Sequence, residues 1–174
     1  DYVVDAVSGE VLAALPASHG VLPIQCTGTD ETSAVRDFVG SQEPPGADIV
    51  MVDPTRDVVT YDFGYKVYDL RNIPPLVDPV ANPSPIWGTA NPAAVSAHVN
   101  ATAVSDFFES VLHRRGVDGQ GMRLVSVVNT VRDPGTKEYA NAFWHQSRMV
   151  YGQVSDANGQ LVSLAQYLDV IGHE

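Results

Sequence analysis

A chain of 174 residues, 44% apolar and 18% charged, is long enough for one good-sized domain with its own core. Its net charge of −11 repels phosphate backbones and excludes a nucleic-acid-binding role, while suiting divalent cations. Cys26 stands alone, so neither an intrachain disulfide nor a cysteine metal cluster can form, and no apolar run is long enough to span a membrane.

The N-terminus reads as a hairpin over 2–15. Tyr2-Val3-Val4 and Glu10-Val11-Leu12 are β-prone, with Ser8-Gly9 supplying the turn. Asp1-Tyr2-Val3-Val4-Asp5 opens the chain mid-strand, as a trimmed precursor would. Pro16-Ala17-Ser18-His19-Gly20 then reads as a linker. Strands are predicted over 49–53 and 58–62, joined as a hairpin by Pro54-Thr55-Arg56. Half of the twelve prolines fall between 72 and 92, and no regular structure is expected there.

A long helix is predicted over 91–115. Asn91 is its N-cap, Pro92 its first residue, and Val95, Val99, Phe108 and Leu112 its inward face. His113-Arg114-Arg115 suits the negative end of the dipole, and Gly116 the stop. After a turn at Asp118-Gly119-Gln120-Gly121 a strand is predicted over 124–128, and another from Ala142 to Tyr151. A turn at 155–159 precedes a second helix over 164–174, with Leu164, Leu168 and Ile171 on one face. Strands first and helices later, without strand–helix alternation, predict an α+β fold: a strand-rich lobe with one long helix and the start of a second. His19, His98, His113 and His145 show no ligand spacing and read as structural or exposed; Cys26 reads as a small apolar residue.

The last six residues, Asp169-Val170-Ile171-Gly172-His173-Glu174, carry the most chemistry. His-Glu alone is a common dipeptide. In a full H-E-x-x-H, two imidazoles one turn apart hold Zn²⁺, and the glutamate stands beside the metal-bound water. Here the second histidine would be the third residue beyond Glu174. Taken by themselves, Asn141 fits a turn cap, Phe143 and Trp144 fit an ordinary core, and Asp169 fits an answer to the helix dipole.

Several motifs nonetheless stand in one order. Val52-Asp53-Pro54-Thr55-Arg56 precedes Thr60-Tyr61-Asp62, and Ala93-Ala94-Val95-Ser96-Ala97-His98 opens the long helix. Gly116-Val117-Asp118-Gly119 closes it, before Asn141-Ala142-Phe143-Trp144, Met149-Val150-Tyr151-Gly152 and the terminal His173-Glu174. In order and spacing the chain resembles the thermolysin-like neutral zinc metallopeptidases over residues 20–174. The resemblance implies a secreted zinc endopeptidase made as a zymogen. Residues 1–18 would be a propeptide-tail hairpin and linker, and 19–174 the N-terminal lobe of the catalytic domain, with the C-terminal helical domain absent. It implies His173 as a zinc ligand, Glu174 as the general base, and Asp169 as a calcium carboxylate. Asn141 and Ala142 would bind the substrate backbone at a strand edge, with Trp144 shaping the cleft. Both the Zn²⁺ and the Ca²⁺ site would be incomplete in this chain, which is then expected to be inactive alone. Its partners would be a protein or peptide substrate, the propeptide and the missing helical domain, with no nucleic acid and no membrane. The segment 77–83 lacks the acidic run that binds a further calcium in some relatives, so that calcium is not expected. A non-catalytic extracellular module, binding peptides or a partner by its strand edge, is the alternative reading.

Overall fold

The computed structural model describes residues 2–4, 11–14, 21–72 and 74–173. Strands β1 (Tyr2–Val4) and β2 (Val11–Ala14) pair antiparallel as the expected N-terminal hairpin; the Ser8-Gly9 turn and His19 lie outside the described residues. Next come β3 (Leu22–Thr29) and β4 (Val35–Gln42), an antiparallel hairpin in continuous register that the sequence reading missed. Its turn is built by Asp30, whose Oδ1 accepts from Thr32 N at 2.8 Å and Ala34 N at 3.0 Å. An aspartate capping its own turn in this way replaces the Asn-Gly signal a tight hairpin usually displays. Arg36 donates to the other oxygen at 2.6 Å, and the bonds to the carboxylate outweigh the desolvation that opposes them, holding it below the usual range.

Strands β5 (Ile49–Val50) and β6 (Val52–Asp53) divide the predicted 49–53 strand between two sheets; only β6 pairs with β7 (Val58–Val67). Within the proline-rich stretch, where no regular structure was expected, two short strands form: β8 (Ala81–Asn82) and β9 (Ile86–Gly88). They complete a five-stranded sheet in the order β8-β5-β4-β3-β9. Trp87 on β9 is buried against Phe38, which explains why so irregular a segment stays in place.

Helix α1 (Pro92–Ser110) is capped as predicted, with Asn91 Oδ1 accepting from Ala94 N at 3.1 Å. It stops earlier than expected. Val111 is the C-cap, and His113-Arg114-Arg115 lies beyond the helix rather than on its last turn. Leu112, expected inward, is 44% exposed, and Phe108 is half-buried. The reason is composition: the N-terminal half is lined by Ala93, Ala94, Val95, Ala97 and Ala101, all buried. Such small residues allow close approach on several faces, so this half is the one pressed into the core. Gly28 of β3 lies close against this half, where a Cβ would stand 2.9 Å from Val95 Cγ2.

The remaining strands are β10 (Leu124–Val131), β11 (Ala142–Trp144), β12 (Met149–Tyr151), β13 (Gln153–Ser155) and β14 (Leu161–Ser163). The single strand expected from Ala142 to Tyr151 is therefore an antiparallel hairpin, β11–β12. Its turn residues Gln146 and Ser147 both have positive φ, 46° and 62°, the backbone of a type I′ turn. The second sheet runs β11-β12-β10-β7-β6, with β10 parallel to both β7 and β12. Parallel β7 and β10 need a crossover, and α1 is that crossover, packed against both. The fold remains α+β and strand-rich, with this one strand–helix–strand unit inside it.

The predicted 164–174 helix is split. A single 3-10 turn spans Leu164–Gln166, Tyr167 is extended, and α2 (Leu168–His173) follows. Ile171 is buried, but Leu168 is 51% exposed rather than inward.

Candidate functional site

The edge strand β11 and the short helix α2 hold every described residue singled out from the sequence, except Asn141, which immediately precedes β11. Glu174 lies outside the described residues.

Asn141 is placed by a net of backbone bonds. Tyr139 N donates to Gln153 O and Gly152 N donates to Asn141 O, both at 2.9 Å. The buried Gln153 side chain donates to Thr130 O at 3.0 Å and also to Lys137 O, tying the incoming loop to β10. Neither Gln153 nor Gly152 was a candidate, yet both support the strand. At Gly152 a Cβ would fall 2.0 Å from Tyr139 O, so glycine is required. That packing need leaves no local mark in the sequence.

The register of β11 decides which of its backbone groups are free. Ala142 faces Tyr151, Phe143 faces Val150 and Trp144 faces Met149. His145 and Arg148 exchange both backbone bonds across the turn, His145 N to Arg148 O at 2.9 Å and Arg148 N to His145 O at 3.2 Å. Antiparallel ladders alternate, so Phe143 bonds inward to β12, while the N–H and C=O of Ala142 and Trp144 point outward. Nothing pairs with that side of β11 among the described residues; it is the outer edge of its sheet. Two donors and two acceptors at strand spacing are what an added strand requires.

Helix α2 stands beside this edge. Its approach is set by the 3-10 turn, where Ser163 Oγ accepts from Ala165 N at 3.2 Å. Asn100, buried on α1, donates to Ala165 O at 2.9 Å and Gln166 O at 3.2 Å. Asn100 thus fixes the turn from which α2 springs, a role that its position in a helix interior does not advertise. Buried Ile171 anchors the far face.

His173 is then exposed at the ridge between two clefts. One, of about 410 Å³, is lined by Ala142, Leu164, Asp169, Val170 and His173. The other, of about 370 Å³ and largely apolar, includes Trp144, Met149, Phe108, Ile171 and His173. Asp169 and His173, one turn apart, share the first cleft with Ala142, and Trp144 joins His173 in the second. Asn141 is not in either. It lines a third and larger cleft of about 760 Å³ at the start of β11, with Tyr68, Arg71, Arg132 and Tyr139.

A catalytic zinc needs three protein ligands and an open position. Among the described residues no group of three His, Cys, Asp or Glu side chains gathers. His173 offers one exposed imidazole of suitable donor type. Asp169 likewise offers one carboxylate where Ca²⁺ takes six to eight oxygens. Both donor sets fit in kind and are incomplete in number.

The remaining histidines answer to structure. His98 is fully buried, its Nε2 2.9 Å from Val39 O and its Nδ1 2.9 Å from Thr60 Oγ1. A carbonyl only accepts, so Nε2 carries the proton and Nδ1 accepts from the threonine hydroxyl. Burial lowers its pKa below the ordinary value. Cys26 is buried and free, and its thiol is raised by the same desolvation.

Residues 25–174 match the model of the thermolysin metallopeptidase catalytic domain. Bacillolysin of Brevibacillus brevis is 30% identical over 99% of this chain, which spans 29% of that protein. Neutral protease B of Bacillus subtilis is 27% identical over 99% of the chain and 31% of its own length. Thermolysin of Alicyclobacillus acidocaldarius is 34% identical over 66% of the chain and 20% of its own. The structure of the precursor of protealysin, a metalloproteinase from Serratia proteamaculans, shares the fold at a TM-score of 0.50 and 24% identity. It is matched over 67% of this chain and 32% of that one. This chain spans about a third or less of each of these proteins, and it belongs to the thermolysin metallopeptidase family.

Proposed function

We propose that this chain is the N-terminal lobe of a secreted, zinc-dependent endopeptidase, supplying one wall of its substrate cleft and part of its metal centre. The observation that carries this reading is the position of His173, exposed between two clefts that each border the free edge of β11. Substrate would lie along that edge as an added strand, bonded by Ala142 and Trp144 and by the Asn141 side chain. Leu164, Val170 and Ala142 would receive an apolar side chain next to His173.

His173 would be one ligand of a zinc whose others lie in the rest of the protein; when bound, the metal supplies a Lewis acid and an acidified water. The Glu174 carboxylate would accept a proton from water and deliver it to the leaving amine. Asp169 would contribute to a calcium site beneath the same helix. Residues 1–18 would be the tail of a propeptide, in keeping with the precursor form of the protealysin neighbour.

The free strand edge also suits a non-catalytic peptide-binding module, and one experiment separates the two. The chain is joined to the C-terminal portion its relatives carry and assayed on casein with chelator, then with zinc restored. Zinc-dependent cleavage supports the peptidase; peptide binding without cleavage supports the module.

A further inference from the structure

The cleft of about 760 Å³ lies away from His173. It opens at the start of β11, where Asn141 and Tyr139 form one side and Arg71 and Arg132 another. Both arginines are exposed residues. Seven of the ten basic residues lack a carboxylate partner among the described residues, and what sets Arg71 and Arg132 apart is that they share a cleft. Arg36, Arg56 and Arg123 each lie within 3.2 Å of a carboxylate, but neither Arg71 nor Arg132 has such a partner among the described residues. Three carboxylates also line the cleft: Asp69, Asp133 and Glu138. Two are held in place by backbone donors, which leave their negative charge intact. Asp69 Oδ1 accepts from Arg71 N at 2.9 Å, and Glu138 Oε1 accepts from Ser155 N at 3.0 Å.

The cleft is continuous with the strand edge through Asn141. A strand advances about 3.3 Å per residue, so an extended peptide on β11 that runs past Asn141 reaches it within roughly two to four positions. The geometry points to this cleft as a specificity subsite, in which Arg71 and Arg132 take an acidic side chain of a bound peptide. The inference rests on the reading that β11 receives an extended peptide. A guanidinium with unused N–H donors binds a carboxylate at two points, more strongly than a single charge contact. The overall charge of −11 is screened beyond about 8 Å at physiological salt, whereas the cleft's own three carboxylates act locally, so an acidic side chain must reach the guanidinium groups directly.

Titrating the isotope-labelled chain with short Ala-Leu peptides, each carrying Glu or Lys at one scanned position, tests the subsite by nuclear magnetic resonance. Backbone signals of Ala142 and Trp144 report the strand edge, and the Nε–H signals of Arg71 and Arg132 report the cleft. Every peptide is expected to shift the edge signals. Only Glu peptides, at one or two adjacent positions, should shift the arginine signals, binding about 3- to 10-fold tighter than their Lys counterparts. Arg132→Glu should reverse the order in favour of Lys, which a merely unfolded variant cannot do. Edge shifts without any Glu preference, or with a Lys preference that Asp133 would produce, overturn the subsite and leave the β11 reading intact. Arginine shifts without edge shifts, or no shifts at all, overturn both.

Discussion

His98 accepts a hydrogen bond from Thr60 at 2.9 Å, joining the crossover helix to strand β7, while its other nitrogen donates to Val39 on the opposite sheet. The imidazole must be neutral to do both. Its folded pKa is lowered, chiefly by burial. The unfolded chain therefore binds a proton at higher pH than the folded one, so stability is full above the unfolded value and is lost as pH falls. Below about pH 6.5 the loss should approach about 1.4 kcal/mol per pH unit, until the folded imidazole itself titrates. Urea unfolding of the parent and of His98→Gln across this range checks it. The parent should lose stability on acidification by the larger amount, and parallel curves would contradict the account.

Gly152 bears on the strand edge itself. An added methyl would press on the Tyr139 carbonyl and displace the segment carrying Asn141. Gly152→Ala should cost about 1–3 kcal/mol or more, as overpacking does, and should weaken peptide binding at β11. Unfolding midpoints beside peptide titration measure both, and a variant matching the parent in each would contradict the packing described.

The turn of the β11–β12 hairpin holds Gln146 and Ser147 at positive φ, where neither is at ease. Replacing them with Asn-Gly, the pair a type I′ turn favours, should raise stability by about 1 kcal/mol. Thermal unfolding reads this directly, and a loss would mean the side chains hold the turn by contacts of their own.

That same turn explains one limit of the sequence. Gln-Ser carries no turn signal, so the hairpin read as one strand. Asp30 likewise builds the β3–β4 turn by side-chain bonds that no residue pattern reveals. By contrast, Asn91-Pro92 wrote the start of α1 plainly, and Asp118 and Asp156 sit in turns readable from their glycines. Both aspartates accept backbone N–H bonds, which lower their pKa values. Where α1 ends was less legible, because apolar spacing continued to Leu112 although the packed surface did not. At the candidate site, His173, Asp169 and Ala142 are candidates by resemblance of their motifs, and the fold brings them to one cleft. Asn100, Gly152 and Gln153, which hold those residues in place, act across 66, 13 and 23 positions of chain, beyond any local signal.

The small donor set around His173 leads to a further prediction. With no further ligand gathered beside His173 among the described residues, the 174-residue chain alone should not cleave casein, with or without added zinc. Zinc-dependent cleavage by the pure chain would show that ligands for the metal assemble within it.

That His173 binds the metal and Glu174 moves the proton is tested most directly by peptide turnover and zinc content of Glu174→Gln, in the chain joined to the C-terminal portion of its relatives. Glutamine keeps the volume but cannot take the proton. Turnover should fall by about 10²–10⁴-fold with zinc still bound at the parent level. Turnover within a few-fold of the parent, or a protein emptied of zinc, would contradict the assignment.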